Sequence, residues 1–179
     1  GHIRAMQRCK PGRYEYQIEG EMVHEFIDHG LRAVAYPSIV AGGDNACILH
    51  YTENKAILKE GDLLLIDAGA ECDHYAADIT RTFPVNGVFS TEQKLLYNLV
   101  LDAQLAAMQE IKVNTPWNKA HEASVEVLTR GLVELGLLQG EISTLITDEA
   151  YKIFYMHRIG HWLGMDVHDV GDYKINHVW

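Results

Sequence analysis

The chain has 179 residues, of which 47% are hydrophobic and 22% are charged, as is typical of one soluble globular domain. Its 25 acidic residues against 15 basic ones give a net charge of -10, which argues against nucleic acid or an anionic membrane as the main partner. No apolar run approaches the roughly 18 residues that are needed to span a bilayer.

The first third of the chain is predicted to form one helix and then a group of strands. Apolar residues recur at helical spacing within residues 14–30, and Gly30 marks the end of that helix. A glycine-rich turn is predicted at residues 41–45, "AGGDN". Three short apolar strands follow, over residues 46–52, 61–70 and 74–85.

Helices dominate the middle of the chain. Ser90 followed by Gln93 is a capping-box signature, which predicts a helix start at that point. Amphipathic patterns predict three helices, over residues 90–111, 117–136 and 143–154. Residues 156–173 have frequent glycines and no helical stripe, so loop and strand are predicted there. Early strands and central helices together predict an α+β fold with a mainly antiparallel sheet.

Two aspartates lie among small and apolar residues in "DAGAECDHYAADITRTF", residues 67–83. With a hairpin turn centred on Cys72 and Asp73, Asp67 is predicted to lie directly opposite Asp78, with Cβ atoms roughly 4.5–5.5 Å apart. Two carboxylates at that separation repel each other unless a cation or a proton lies between them. Three interpretations stay open: a metal site, a pair sharing one proton, and a structural role in which Arg81 neutralises one aspartate.

Small neighbouring residues leave room for an ion beside these carboxylates. Carboxylate oxygens suit Mn²⁺, Mg²⁺ or Ca²⁺, and an added imidazole shifts the preference toward Mn²⁺, Zn²⁺, Fe²⁺ or Co²⁺. The three cysteines (Cys9, Cys47 and Cys72) have no metal-type spacing, which predicts free thiols in a reducing, cytoplasmic compartment.

Histidines are the second candidate ligands. His157, His161 and His168 lie within twelve residues, flanked by glycines. The segment "HRIGH" has the four-residue spacing of an "HExxH" zinc site, but it lacks the glutamate, and its glycine argues against a helix. One such histidine alone is more typical of a structural residue, whereas three together favour a site. His50, at the end of a predicted strand, reads as structural on local sequence.

Three segments, "ILHYTEN", "GDLLLIDAGAECDHYAADITRTFPVNG" and "HWLGMDVHDVG", resemble the catalytic domain of aminopeptidase P, the Xaa-Pro aminopeptidases of the pita-bread metallopeptidases. The resemblance extends over essentially the whole chain. It implies a partial pita-bread fold, a curved and mainly antiparallel sheet covered by helices. We expect residues 1–179 to form an incomplete C-terminal catalytic domain, without the family's N-terminal domain and its final glutamate-bearing strands.

The resemblance also implies a ligand set and a reaction. The family holds two metal ions, usually Mn²⁺, with Zn²⁺, Co²⁺ or Fe²⁺ as alternatives, and a bridging hydroxide attacks the bond before proline. The metal ligands carried over by motif are Asp67, Asp78 and His161. The histidines expected to contact substrate or stabilise the tetrahedral intermediate are His50, His157 and His168. The expected substrates are peptides with proline in second position, and the family forms homo-oligomers.

The family uses two further glutamate ligands downstream of these motifs. We therefore expect this chain alone to bind metal weakly or singly and to have little or no peptidase activity. Two alternatives are a prolidase, which cleaves only dipeptides, and a metal-free pita-bread module that binds peptides or proteins. The presence of Asp67, Asp78 and His161 argues against the metal-free module, because binding alone does not require them.

Overall fold

A computed structural model describes residues 1–174 of the chain, which form two compact units. The first unit contains residues 1–90 and 161–170, and the second contains the remaining described residues. Within these residues no helix combines the length and the apolar character that a membrane span requires. All three cysteines are free thiols, as predicted.

Two helices open the first unit, α1 (His2–Arg8) and α2 (Glu15–Asp28). The predicted helix within residues 14–30 is confirmed. The backbone N–H of Tyr14 donates to Gln17 Oε1 at 2.9 Å, which satisfies one donor at the start of α2. Ile18 and Met22 lie four residues apart on one face of α2 and are fully buried.

The strands of the first unit form two antiparallel sheets of three strands each. One sheet has the order β1-β4-β5 and consists of Ala33–Val34, Ala70–Cys72 and Tyr75–Ala76. The other has the order β2-β3-β6 and consists of Ile39–Gly42, Leu63–Asp67 and Thr80–Pro84. The side chains of Leu64 and Ile66, on one face of β3, are fully buried in the core of this unit.

The strand predicted at residues 46–52 is wrong, because a 3-10 helix (Gly43–Cys47) and a turn occupy that region. The pairing strand is β2, which includes Ala41 and Gly42 of the predicted turn. Ile48 and Leu49 suggested a buried strand, but more than half of each residue is exposed. This segment is anchored instead by one buried residue, Tyr51.

The predicted hairpin register is also wrong. The turn is centred on Asp73 and His74, both with positive φ as a two-residue hairpin turn of type I′ requires, so that Asp67 pairs with Thr80 rather than with Asp78. Asp78 lies two residues before Thr80, outside β6, and its side chain meets that of Asp67 at one common contact, the Tyr36 hydroxyl. In the observed register, Asp67 and Asp78 are diagonal neighbours instead of directly opposed residues, and their side chains still lie on one face.

A buried carboxylate ties α2 to the rest of the first unit. Glu15 is fully buried, and each of its two carboxylate oxygens accepts two hydrogen bonds. The four donors are Gly42 N (2.8 Å), Asn45 Nδ2 (3.0 Å), Tyr51 Oη (2.7 Å) and Ala56 N (2.9 Å). Burial alone would raise the pKa of Glu15, but the four donors outweigh burial and lower it. Glu15 therefore holds the segment around Tyr51 as an ionised carboxylate.

The second unit is helical, with α3 (Thr91–Gln109), α4 (Asn118–Glu134), α5 (Ile142–Thr147) and a 3-10 helix (Ala150–Ile153). The first two predicted helices are confirmed, and the third is divided near Glu149, which has φ +54°. Gly131 of α4 lies against Leu99 of α3, where an added Cβ would be 2.2 Å from Leu99 Cδ1. No strand forms within residues 156–174, so of the loop and strand predicted there only the loop is present.

Candidate metal centre

The two aspartates are brought together by a residue from a different segment. Asp67 ends β3, and Asp78 lies just before β6. The hydroxyl of Tyr36, between β1 and β2, donates to Asp67 Oδ1 in a short hydrogen bond and lies 2.9 Å from Asp78 Oδ1. One hydroxyl thus contacts one oxygen of each carboxylate.

Burial and like charge shape the electrostatics of this pair. Burial raises the pKa of Asp67, and repulsion from Asp78 raises it further, while the hydrogen bond from Tyr36 acts in the opposite direction. Burial and the two carboxylates also raise the pKa of Tyr36, so its hydroxyl keeps its proton and remains a donor. A positive charge beside Asp67 and Asp78 would relieve their repulsion.

His161 supplies an imidazole to the same face. Its Nε2 lies 3.0 Å from Asp78 Oδ2, and its Nδ1 lies 2.9 Å from the Trp162 carbonyl oxygen. Because a carbonyl only accepts, Nδ1 carries a proton, and in the neutral ring the lone pair of Nε2 faces the carboxylate. Two acceptors at this distance require a proton or a cation between them. Metal-binding histidines commonly donate their other ring N–H to a backbone carbonyl in this way.

The loop that carries His161 is fixed at several points. The ring of His168 lies 4.3 Å from the ring of His161, centroid to centroid. The Asp169 carboxylate accepts from the backbone N–H groups of Met165 and Val170 at 2.9 and 2.8 Å. The N–H of Ala76 in β5 donates to the Gly164 carbonyl at 2.8 Å, which attaches the loop to the hairpin.

The other two predicted histidines lie outside this hydrogen-bonded cluster. His50 is exposed in a turn, with φ +54°. His157 is exposed and belongs to the second unit. Their predicted catalytic roles stay predictions. Arg81 donates to the Thr80 carbonyl at 2.7 Å, and within residues 1–174 it forms no ion pair with either aspartate, which removes the support for the structural interpretation of the pair.

The donor set fits a divalent cation in its chemistry. Two carboxylates and one imidazole are ligands that Mn²⁺ and Zn²⁺ both accept. Tyr36 contacts the Oδ1 atom of each aspartate, and the Oδ2 atom of Asp78 lies 3.0 Å from His161 Nε2. Across the described part of the chain, no group of three or more His, Cys, Asp or Glu side chains is already arranged to hold an ion. The assignment of Asp67, Asp78 and His161 as metal ligands therefore stays a prediction.

Sequence comparison identifies the family. The profile of metallopeptidase family M24 matches residues 1–178. The chain belongs to metallopeptidase family M24. Within this M24 family, the Xaa-Pro aminopeptidase of Haemophilus influenzae is 56% identical over 97% of the chain, and that of Escherichia coli is 48% identical over 96%. The chain spans 40% and 39% of the lengths of these two relatives.

Solved structures of M24 relatives agree with the fold. The aminopeptidase PepP of Pseudomonas aeruginosa superposes with a TM-score of 0.98 at 61% identity, over 99% of this chain and 40% of that one. A zinc-substituted aminopeptidase P of Escherichia coli in complex with product gives a TM-score of 0.96 at 47% identity, again over 99% of this chain and 40% of that one. The predicted α+β, partial pita-bread fold and the resemblance to aminopeptidase P are confirmed.

Tyr36 was missed by the sequence interpretation of this M24 chain. It lies in "AYPSIV", 31 residues before Asp67, and no local pattern connects the two. The one available signal was the following proline, which restricts the backbone of the preceding residue to extended conformations. That restriction indicates a defined position for Tyr36 without indicating its partners.

Proposed function

We propose that the protein containing this chain is a metal-dependent aminopeptidase that hydrolyses the peptide bond before a proline in second position. The observation that carries the proposal is the convergence of His161 Nε2 and Asp78 Oδ2 at 3.0 Å, beside Asp67. That donor set occurs in a chain of a metallopeptidase family, and its close relatives are named Xaa-Pro aminopeptidase.

Asp67, Asp78 and His161 would hold the metal. The bound divalent ions supply Lewis acidity and lower the pKa of water, and Mn²⁺ is the metal that we propose, with Zn²⁺, Co²⁺ or Fe²⁺ as alternatives. The two carboxylates provide the negative charge that balances the cations. The hydrogen bond from His161 Nδ1 to the Trp162 carbonyl fixes the ring so that Nε2 points toward the site.

Histidines next to the metal ligands are suited to bind the reacting carbonyl. The ring of His168 packs against that of His161 and can donate a hydrogen bond to the oxygen on which negative charge develops. Removal of one such donor typically lowers the rate about 10²- to 10³-fold. We propose the same type of contact, with substrate or intermediate, for His50 and His157. Homo-oligomerisation and a cytoplasmic location stay predictions.

The ligand count limits what this chain does by itself. Two carboxylates and one imidazole among residues 1–174 leave a two-metal centre short of donors and of negative charge. We propose that the isolated chain binds Mn²⁺ weakly or singly and that Xaa-Pro cleavage needs additional ligands. Robust hydrolysis of an Xaa-Pro peptide by the isolated 179-residue chain with Mn²⁺ would contradict this part of the proposal.

The decisive experiment compares metal content and Xaa-Pro hydrolysis in the full-length protein and in Asp67→Ala and Asp78→Ala. Both variants are expected to lose bound metal and activity together. Asp102→Ala, on the exposed surface of α3, is the matched control and should retain both. Metal content and activity that survive in Asp67→Ala and Asp78→Ala would refute the proposal. Cleavage confined to dipeptides would identify a prolidase instead.

A further inference from the structure

We propose that Tyr36 is a positioning residue for the metal ligands, because it fixes the separation and orientation of the Asp67 and Asp78 carboxylates. The inference rests on the proposed function, since it assigns Tyr36 a role toward the metal which that function requires. It adds a residue that lies outside the motifs on which the resemblance to aminopeptidase P depends.

The hydroxyl of Tyr36 lies at the junction of the two carboxylates. It donates to Asp67 Oδ1 and lies 2.9 Å from Asp78 Oδ1. The other oxygen of Asp78, Oδ2, lies 3.0 Å from His161 Nε2. The two oxygens of Asp78 therefore have separate partners, one from Tyr36 and one from His161. This division prevents the carboxylate from rotating so that both oxygens turn away from the imidazole.

Tyr36 is itself held in place from both sides. Before it, the N–H of Ala35 donates to the carbonyl of Gly69, two residues after Asp67, at 2.9 Å. After it, Pro37 restricts the backbone, and the carbonyl of buried Ser38 accepts from Asn54 Nδ2 at 2.8 Å. The hydroxyl thus reaches the carboxylates from a segment that is held on both sides by backbone contacts.

A neutral hydroxyl suits this position better than a cationic side chain. A lysine or arginine would compensate the carboxylate charge permanently and compete with a metal ion for the same oxygens. A hydroxyl orients one oxygen of each carboxylate and leaves the net negative charge of the pair available for the metal. Hydrogen-bond partners that orient metal ligands typically contribute roughly 10- to 100-fold to metal affinity.

The test is Tyr36→Phe, which removes one oxygen atom and retains the ring. Tyr75→Phe, at a residue of β5 that is 62% exposed, makes the same chemical change away from the carboxylates and serves as the control. The dissociation constant for Mn²⁺ is measured in the full-length protein by electron paramagnetic resonance of free and bound Mn²⁺. Circular dichroism at the same temperature verifies that each variant is folded.

Tyr36→Phe is expected to raise the Mn²⁺ dissociation constant roughly 10- to 100-fold and to change the spectrum of the bound ion, whereas Tyr75→Phe leaves both unchanged. A hydroxyl that only stabilises the fold would lower the unfolding temperature without changing the affinity of the folded protein. An unchanged affinity and spectrum in Tyr36→Phe would overturn the inference and leave the proposed function intact. Absence of saturable Mn²⁺ binding in the unmodified protein would overturn both.

Discussion

Replacement of Glu15 by glutamine tests whether one buried carboxylate organises the first unit. Each oxygen of Glu15 accepts two hydrogen bonds, and three of the four donors are N–H groups, which cannot accept in return. The glutamine amide keeps one accepting oxygen and presents an N–H₂ group to the other two donors. Two lost hydrogen bonds to a charged group amount to about 3–6 kcal/mol. Because a neutral side chain is easier to bury, we predict a net loss of about 2–4 kcal/mol in the free energy of unfolding.

Urea denaturation followed by circular dichroism measures this loss. Glu126→Gln is the matched control, because Glu126 is exposed on α4 and its ion pair with Arg130 contributes less than about 1 kcal/mol.

The same pair of variants tests the pH dependence. The pKa of Glu15 is lower in the folded state than its ordinary value of 4.5, so its contribution to stability is complete above pH 4.5 and is lost as the pH falls through the folded-state pKa. Two results would refute the reasoning. One is a loss of unfolding free energy below about 1 kcal/mol in Glu15→Gln. The other is a stability difference between this variant and the unmodified protein that stays the same as the pH is lowered.

Two further predictions concern the hairpin and the imidazole. Gly69→Ala should lower the free energy of unfolding by at least about 2 kcal/mol, because the added Cβ would lie 1.7 Å from the Ala77 carbonyl oxygen. The control is Gly20→Ala, in open space on α2, which should be neutral or stabilising. Thermal denaturation measures both variants. Equal effects of the two would exclude a close approach at Gly69. His161→Ala should abolish Mn²⁺ binding measured by calorimetry and lower the free energy of unfolding by about 1 kcal/mol, the typical cost of a substitution, since its side chain is partly buried. The control is His24→Ala, at an exposed residue, which should change neither Mn²⁺ binding nor the free energy of unfolding. Retained Mn²⁺ affinity in His161→Ala would show that His161 is not a metal ligand.

The fold was predictable where the sequence pattern is long and periodic. The helix within residues 14–30 was identified correctly because apolar residues recur every four positions, at Ile18, Met22 and Phe26. The strand at residues 46–52 was misassigned because a short apolar run has the same appearance whether it is buried or exposed, and Ile48 is in fact 55% exposed. The residue that is buried there is Tyr51, which is held by Glu15, 36 residues earlier in the chain. A prediction from local sequence cannot detect that contact.

The site was predictable only in part, for a different reason. The exact turn depends on which two residues adopt positive φ, which the hydrophobic pattern does not encode, so the predicted register was wrong. The prediction that Asp67 and Asp78 lie on one face was still correct. The error in pairing was a shift of two residues, and a shift of two preserves the alternation of side chains. Tyr36 was not predictable, because its contact with the carboxylates is purely tertiary.

The discontinuity of the first unit sets an order in time. Tyr36, Asp67 and Asp78 all belong to its first segment, whereas His161 follows Asp78 by 83 residues. At typical elongation rates of 5–20 residues per second, a ribosome takes roughly 4–17 s to cover that interval. For this period the nascent chain holds the carboxylate pair and its tyrosine donor without the imidazole. The contact between Asp78 and His161 can therefore form only after the loop that carries His161 has been synthesised, behind the helical segment that separates the two residues in the chain.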